Sequence, residues 1–67
     1  MIHIAISPGS MGVVGHAIYL FGAQKVNPGT WTSPVYVNGL SKDEASFAKE
    51  FFGELGLSVS EISPAYI

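Results

Sequence analysis

Residues 41–55, "SKDEASFAKEFFGEL", have the clearest hydrophobic pattern in the chain. Ser41 can cap a helix, and Glu44 three residues later can bond back to the Ser41 amide in a capping box. At about 100° per residue, the apolar side chains share one side of this helix. They are Ala45, Phe47, Ala48, Phe51, Phe52 and Leu55, and the opposite side carries Lys42, Ser46, Lys49, Glu50, Gly53 and Glu54. The pattern predicts an amphipathic helix over 41–55 that ends at Gly56 and packs on one face of a sheet.

Three short segments have the pattern of β-strands. Residues 2–6, "IHIAI", alternate apolar positions, and residues 35–37, "VYV", are β-branched and aromatic. Residues 57–63, "LSVSEIS", alternate apolar residues with serine at their start. Each segment is long enough for one short strand.

The segment 13–26, "VVGHAIYLFGAQKV", is compatible with two structures, because an apolar run without a clear period fits a buried helix or a doubly buried strand. "VNPGTW" follows, and its Pro-Gly predicts a tight turn, so residues 16–26 are expected to form a hairpin with residues 30–38. The preferred fold is therefore α+β: a small, mostly antiparallel sheet of about four strands with one helix, 41–55, on one face. The alternative is β-α-β-α-β, in which residues 12–25 are helical and the sheet is parallel.

A strand over 16–26 would require burial of both its faces. Tyr19 and Phe21 would point to one face, and Ile18 and Leu20 to the other. Because one helix covers only one face of a sheet, the other face is expected to bind a second copy of the chain or a foreign protein.

The composition also favours association between subunits. The chain has 67 residues, of which 48% are hydrophobic and only 12% are charged, and it has no cysteine. A chain of this length forms a single domain, 1–67, with a small core. Since neither disulfides nor thiolate metal sites can stabilise it, we expect a homo-oligomer.

The charges argue against nucleic acid and membrane as partners. All side-chain charges lie between Lys25 and Glu61, the net charge is −2, and there is no arginine. Nucleic-acid binders neutralise phosphates with lysine and arginine, so nucleic acid is not an expected partner. The longest apolar stretch, 11–23, is shorter than the ~20 residues that span a bilayer, and no basic segment of a signal peptide precedes it. The expectation is a cytoplasmic protein without a membrane partner.

Residues 7–17, "SPGSMGVVGHA", space three glycines as Gly-x-x-Gly-x-x-Gly after a predicted strand. This motif resembles the nucleotide-binding loop of short-chain dehydrogenases and related Rossmann proteins, in which glycines let the backbone approach a pyrophosphate. The resemblance implies a nucleotide-like ligand contacted by Ser7, Gly9, Ser10, Gly12 and Gly15. The sequence departs from that family because no acidic residue, which would bind the ribose, precedes Asp43. A connection that binds no ligand is the preferred interpretation.

The sequence offers little support for a metal site or a catalytic site. His3 and His16 are the only histidines, and Asp43 or Glu61 would have to complete a metal site with them. No two of these residues have the spacing typical of zinc ligands, so no metal or other cofactor is expected. No serine lies in a Gly-x-Ser-x-Gly elbow. We therefore assign no catalytic residue and do not expect an enzyme.

These observations together favour a small non-enzymatic binding protein that acts by stoichiometric protein–protein contact. The apolar anchors of its interface would be Tyr19, Phe21, Trp31 and Tyr36, and the charged rim would be Lys42, Lys49, Glu50 and Glu54. Inhibitors or accessory factors of larger host enzymes and complexes, encoded by phages and mobile elements, are often chains of this size and composition. The alternative is a small-molecule binding or sequestering protein that holds a nucleotide-like ligand with residues 7–16.

Overall fold

The computed structural model describes residues 1–27 and 34–62. In chain order the elements are β1 (Ile2–Ser7), α1 (Met11–Phe21), a 3-10 turn (Ala23–Lys25), β2 (Val26–Asn27), β3 (Val35–Leu40), α2 (Lys42–Glu54) and β4 (Ser58–Ile62). The four strands form one antiparallel sheet in the order β2-β3-β1-β4. The α+β class and the four-stranded antiparallel sheet predicted from the sequence are confirmed, and the structure adds a second helix.

The order of the strands defines the topology. Helix α1 connects β1 to β2, with β3 between them, and α2 connects β3 to β4, with β1 between them. This is the split β-α-β arrangement, also called ferredoxin-like. The arrangement places both helices over the sheet, and it does not by itself assign a function.

Both helices pack on the same face of the sheet and enclose one apolar core. Ile4 and Ile6 of β1 are fully buried beneath the helices, as alternation along a strand requires. The other core residues are Val35, Val37 and Leu40 of β3, Val13 and Ala17 of α1, and Ala45, Ala48 and Phe52 of α2. Full burial of a side chain the size of Ile4 or Phe52 contributes about 1.5–3 kcal/mol, so this layer is the main source of stability.

Helix α2 begins and ends as the sequence predicts. The Glu44 amide donates to Ser41 Oγ (3.2 Å), and the Ser41 amide donates to Glu44 Oε1 (2.9 Å), which completes the capping box. At the other end, Gly56 has a φ of 83°, and the Leu57 amide donates to the Phe52 carbonyl (3.0 Å). Only glycine adopts this left-handed conformation without strain, which explains why the helix stops at this glycine.

The expectation of a strand over residues 16–26 is wrong, because residues 11–21 form helix α1. Ser10 caps this helix, and its Oγ accepts from the Val13 amide (3.1 Å). Val13, Ala17 and Leu20 recur at helical spacing and face the core. The valine, isoleucine, tyrosine and phenylalanine residues of the segment favour a strand only on average, and its two interior glycines weaken both a strand and a helix. Burial of this apolar stripe against the sheet overrides that local preference.

The alternative β-α-β-α-β prediction is correct about this helix and wrong about the sheet. Its parallel sheet does not form, because β3 inserts between β1 and β2 and runs antiparallel to both. A short part of the predicted hairpin is present: Val26 pairs with Val37, and Asn27 pairs with Tyr36. The predicted Pro-Gly turn lies outside the described residues.

The length and hydropathy of the two helices bear on the membrane prediction. Over residues 1–27 and 34–62, no helix is both long and apolar enough to cross a membrane.

Candidate functional site

An aromatic patch lies on the outside of the helical layer: the rings of His16, Phe51 and Phe47 are linked by ring contacts, and Tyr19 lies beside His16. The His16 ring of α1 lies 5.8 Å from the Phe51 ring of α2, and Phe51 stacks on Phe47 with centroids 5.8 Å apart and an interplanar angle of 25°. Tyr19 and His16 line the same depression in the surface. Tyr19 is 88% exposed and Phe47 is 47% exposed. The patch therefore presents two large rings to solvent.

Phe51 connects the aromatic patch to the apolar core. Phe51 is half-buried and meets the fully buried Phe52 edge to face, with centroids 5.1 Å apart. Edge-to-face and offset-stacked ring pairs are favourable geometries that add to the burial of apolar area. Phe51 therefore supports Phe47 from the side of the core, and ring contacts position this part of the patch.

A hydrogen bond orients the His16 ring. Its Nδ1 lies 2.8 Å from the carbonyl oxygen of Gly12, one helical turn earlier. Since a carbonyl oxygen only accepts, Nδ1 carries the proton, and in the neutral ring Nε2 is left as an acceptor. His16 is exposed, so this acceptor is available to a ligand or partner.

Two glycines shape the surface beside His16. Gly12, Gly15, His16 and Tyr19 line a shallow, open depression of about 410 Å³. A Cβ built on Gly15 meets no atom within 4 Å, and one on Gly12 meets only Ser10 Oγ at 3.8 Å. Because neither glycine is required by internal packing or by a positive φ, their effect is to keep the backbone of α1 accessible.

An acidic stripe borders the patch on α2, and it consists of Asp43, Glu50 and Glu54. These residues are exposed, and their spacing places them on one side of the helix, adjacent to Phe47. The described residues contain no ion pair to any of them. The stripe therefore carries negative charge that no ion pair of the described residues neutralises, and it lies beside an exposed aromatic ring.

The other acids are paired. Lys25 lies 3.6 Å from Glu44, and Lys49 lies 2.9 Å from Glu61 on the flank of α2 that faces β4. The Ser41 amide lowers the pKa of Glu44 by its hydrogen bond to the carboxylate, and the charge of Lys25 acts in the same direction. These pairs keep two of the three lysines away from the acidic stripe.

The face of the sheet opposite the helices forms a second surface, which we call the open sheet face. Strand pairing places Tyr36 beside Ala5 and Asn27, and His3 beside Ile62. The face consists of His3, Ala5, Ser7, Asn27, Tyr36, Ser58, Ser60 and Ile62. None of these side chains is a lysine or an acid, and neither described helix packs against them. The face is neutral and mainly polar.

The structure separates the residues predicted to form the interface. Tyr19 is in the aromatic patch, Tyr36 is on the open sheet face, and Phe21 packs against the core. Trp31 lies outside the described residues. Of the predicted rim, Glu50 and Glu54 lie in the acidic stripe, whereas Lys49 is paired with Glu61 and Lys42 is on the same flank as Lys49. No single surface contains all the predicted residues.

The residues of the glycine motif also occupy different elements. Ser7 ends β1, Gly9 lies in the connection, and Ser10 caps α1. Gly12 and Gly15 lie within α1, so they are not part of a loop. Only Gly12 and Gly15 border the depression.

The structure does not bring together the residues considered for metal binding or catalysis. His3 is on the open sheet face, where its Nδ1 accepts from the Gly39 amide (3.4 Å), and His16 is on the helical layer. Among the described residues, no group of three His, Cys, Asp or Glu side chains can hold a metal ion. His16 makes no hydrogen bond to a serine in this part of the chain.

Most of the aromatic patch is not predicted by the sequence pattern. The helical pattern placed Phe47, Phe51 and Leu55 on the buried side of α2, but Phe47 and Leu55 are exposed and Phe51 is only half-buried. Only Ala45, Ala48 and Phe52 are buried in this helix. The sequence did contain one sign of this exposure. The apolar side of α2 is wider than the surface that one sheet face can cover.

Comparison with known proteins assigns no relative to the chain. No family model matches it, and no curated protein or solved structure matches it at a significant level.

Proposed function

We propose that this chain is a small non-enzymatic binding protein that acts in the cytoplasm by stoichiometric contact with another protein through the aromatic patch. The observation that carries the proposal is the exposure of Tyr19 and Phe47 beside the ring contacts that Phe51 makes with His16 and Phe47. Exposed apolar surface that is contiguous is typical of binding sites, and tyrosine is enriched among the residues that dominate binding energy.

The surroundings of the patch support this role. Met11 and Ile18 of α1 are also exposed, so the apolar surface continues along the outside of the helix. Gly12 and Gly15 add accessible backbone, which lets a partner approach closely. Tyr19 and Phe47 would be the anchors of the contact, with Glu50 and Glu54 at its rim. An inhibitor or accessory factor of a larger host enzyme or complex, of the kind that phages and mobile elements encode, would act through such a surface by occlusion.

Self-association is a second part of the proposal, and it uses the open sheet face. The charged side chains of the described residues lie on the helical layer or at its flanks, so two copies can meet through their open faces without bringing like charges together. The serines and Tyr36 on this face can supply hydrogen bonds between the copies.

Selection from a library of short random peptides tests the binding function without requiring the natural partner. The immobilised wild-type chain and a Tyr19→Ser/Phe47→Ser variant are used in parallel, and Tyr36→Ser is the matched control on the open sheet face. We expect peptides enriched on the wild type to bind Tyr36→Ser and to lose binding to the patch variant. Enrichment of peptides that bind all three chains equally would contradict the proposal.

A nucleotide-like ligand is the second candidate, and one observation favours it. The depression beside α1 is lined by Gly12 and Gly15, two of the five residues that the glycine motif assigns to ligand binding. Native mass spectrometry of the freshly purified, untagged chain distinguishes the two functions. A mass excess equal to a nucleotide, lost in Gly12→Val, would support the ligand, whereas a ligand-free chain supports protein binding.

A further inference from the structure

We infer that the aromatic patch and the acidic stripe together bind a basic, amphipathic segment of a partner protein, one that presents arginine or lysine beside apolar residues. This inference rests on the proposed function and adds to it the chemistry of the partner. The observation that supports the inference is that Phe47 lies beside three carboxylates that form no ion pair in the described residues.

The acidic stripe runs along one side of Phe47 on the helix surface. Asp43 lies one turn before Phe47, Glu50 one turn after it, and Glu54 two turns after it on the same side. All three carboxylates are exposed, and none forms an ion pair within residues 1–27 and 34–62. An exposed phenylalanine therefore lies beside a row of three negative charges.

An exposed aromatic ring with carboxylates beside it is complementary to a cationic side chain. A guanidinium or ammonium group is attracted to the face of an aromatic ring, and the attraction is strongest where water is displaced. A carboxylate beside the ring adds a hydrogen bond from the same group, and arginine can form it with two parallel N–H donors. Apolar residues next to the cation would cover Phe51, Tyr19 and the accessible backbone of α1.

Charge also excludes two other occupants of this surface. A second copy of the chain would bring an identical acidic stripe against this one in a two-fold contact, which is repulsive. Nucleic acid would bring phosphates towards the same carboxylates. Lys25 and Lys49 are paired with other acids. Lys42 is the one lysine of the described residues without an ion pair, and it lies on the flank of α2 that faces β4, away from the acidic stripe.

The direct test uses three synthetic peptides of the same amphipathic design. All have leucine on the apolar side, and they carry arginine, glutamine or glutamate on the polar side. Their affinities for the full-length chain are measured by isothermal titration calorimetry at low and high salt. We expect the arginine peptide to bind most tightly, the glutamate peptide most weakly, and added salt to weaken only the binding of the arginine peptide.

Matched variants locate the site. Glu50→Gln removes one carboxylate of the stripe, and the control, Glu61→Gln, removes one exposed carboxylate of β4 that is paired with Lys49. Neutralising Asp43, Glu50 and Glu54 together should weaken the arginine peptide about tenfold, as expected for a few exposed charge pairs. Glu50→Gln alone should have a smaller effect in the same direction, and Glu61→Gln should leave the affinity within about twofold of the wild type.

The outcomes separate this inference from the proposed function. Equal affinity for the three peptides, lost in Phe47→Ser, would overturn the inference and leave protein binding through the patch intact. An arginine peptide that responds to Glu61→Gln and not to Glu50→Gln would overturn it as well. Enrichment of basic sequences in the random library, dependent on the acidic stripe, would support it independently.

Discussion

At the scale of single residues, Gly15 lowers the stability of helix α1 but keeps the backbone of the helix accessible to a partner. It lies inside α1, where glycine is less favourable than alanine by about 1 kcal/mol. A Cβ at this position meets no atom within 4 Å. Internal packing therefore does not require this glycine, and its accessible backbone borders the depression beside Tyr19.

The first prediction concerns Gly15→Ala. We expect it to raise the free energy of unfolding by about 0.5–1 kcal/mol, because alanine loses less backbone entropy in a helix. Gly53→Ala is the matched control, since its Cβ also meets nothing and it lies away from the patch. Urea denaturation of both variants should show a similar gain, while peptide binding should weaken only in Gly15→Ala. A loss of stability in Gly15→Ala would contradict this description of α1.

The second prediction concerns the pH dependence at Glu44. Its folded-state pKa is lowered, first by the hydrogen bond from the Ser41 amide and also by Lys25. The charged form therefore stabilises the fold above the unfolded-state pKa, and this contribution is lost as the pH falls through the folded-state pKa. We expect the wild type to have a higher Tm than Glu44→Gln at neutral pH and the same Tm in strong acid.

Glutamine keeps the capacity to accept the hydrogen bond from the Ser41 amide, so this comparison isolates the charge. Thermal unfolding followed by circular dichroism across the acidic range is the measurement. Glu50→Gln, which removes an exposed carboxylate without an ion pair in the described part of the chain, is the control. A difference in Tm between wild type and Glu44→Gln that persists unchanged into strong acid would contradict the assignment.

At the scale of elements, the sequence predicts α2 directly, whereas for α1 it leaves a helix and a strand as alternatives. Both ends of α2 are marked by residues with a local mechanism: the capping box at Ser41 and Glu44, and the left-handed Gly56. Helix α1 has only Ser10 as a local signal, and its interior contains two glycines. Its helical form depends on burial of Val13 and Ala17 against the sheet, a contact between distant parts of the chain that local patterns do not report.

The aromatic patch was missed for a related reason. Helical periodicity separates apolar from polar residues, but it does not say how much of the apolar side the sheet covers. Phe52 is fully buried, whereas Phe47 on the same predicted side is 47% exposed. The position of α1 decides which phenylalanines of α2 reach solvent, and this position is known only once the fold is known. The sequence nevertheless indicated a surplus of apolar residues, but its expected place on the uncovered sheet face is wrong, because the segment that carries it is helix α1 and the exposed apolar residues lie on the helical layer.

The third prediction separates the core from the patch by two substitutions in α2. Phe52→Ala should cost about 3–5 kcal/mol, because it leaves a cavity beneath both helices. Phe47→Ala should cost no more than about 1 kcal/mol, since it removes a half-exposed ring and one stacking contact. Chemical denaturation of the two variants is the measurement. Similar, large losses from both would place Phe47 in the core and contradict its role as an anchor.

At the scale of the whole molecule, charged and neutral surfaces are separated. The acidic stripe and both ion pairs belong to the helical layer and its flanks, whereas the open sheet face has no charged side chain among the described residues. The split β-α-β topology produces this separation, because both helices lie on one face of the sheet. One surface is therefore suited to a basic partner and the other to a second copy.

The fourth prediction tests this division by two equivalent substitutions. Ser60→Lys places a charge on the open sheet face, and Ser46→Lys places the same charge on exposed α2. If copies associate through the open face, Ser60→Lys should shift the chain towards monomer, and Ser46→Lys should not. Native mass spectrometry at several protein concentrations reports the subunit count. An oligomer unaffected by Ser60→Lys would contradict this arrangement.

We propose that a partner binds the helical layer at the aromatic patch. The most direct measurement is chemical-shift mapping by NMR on the uniformly ¹⁵N-labelled full-length chain, titrated with the tightest peptide from the random library. We expect shift changes concentrated at His16, Tyr19, Phe47, Glu50 and Phe51, with little change in β4. Changes confined to the open sheet face, or to Ser7, Gly9 and Ser10, would contradict it.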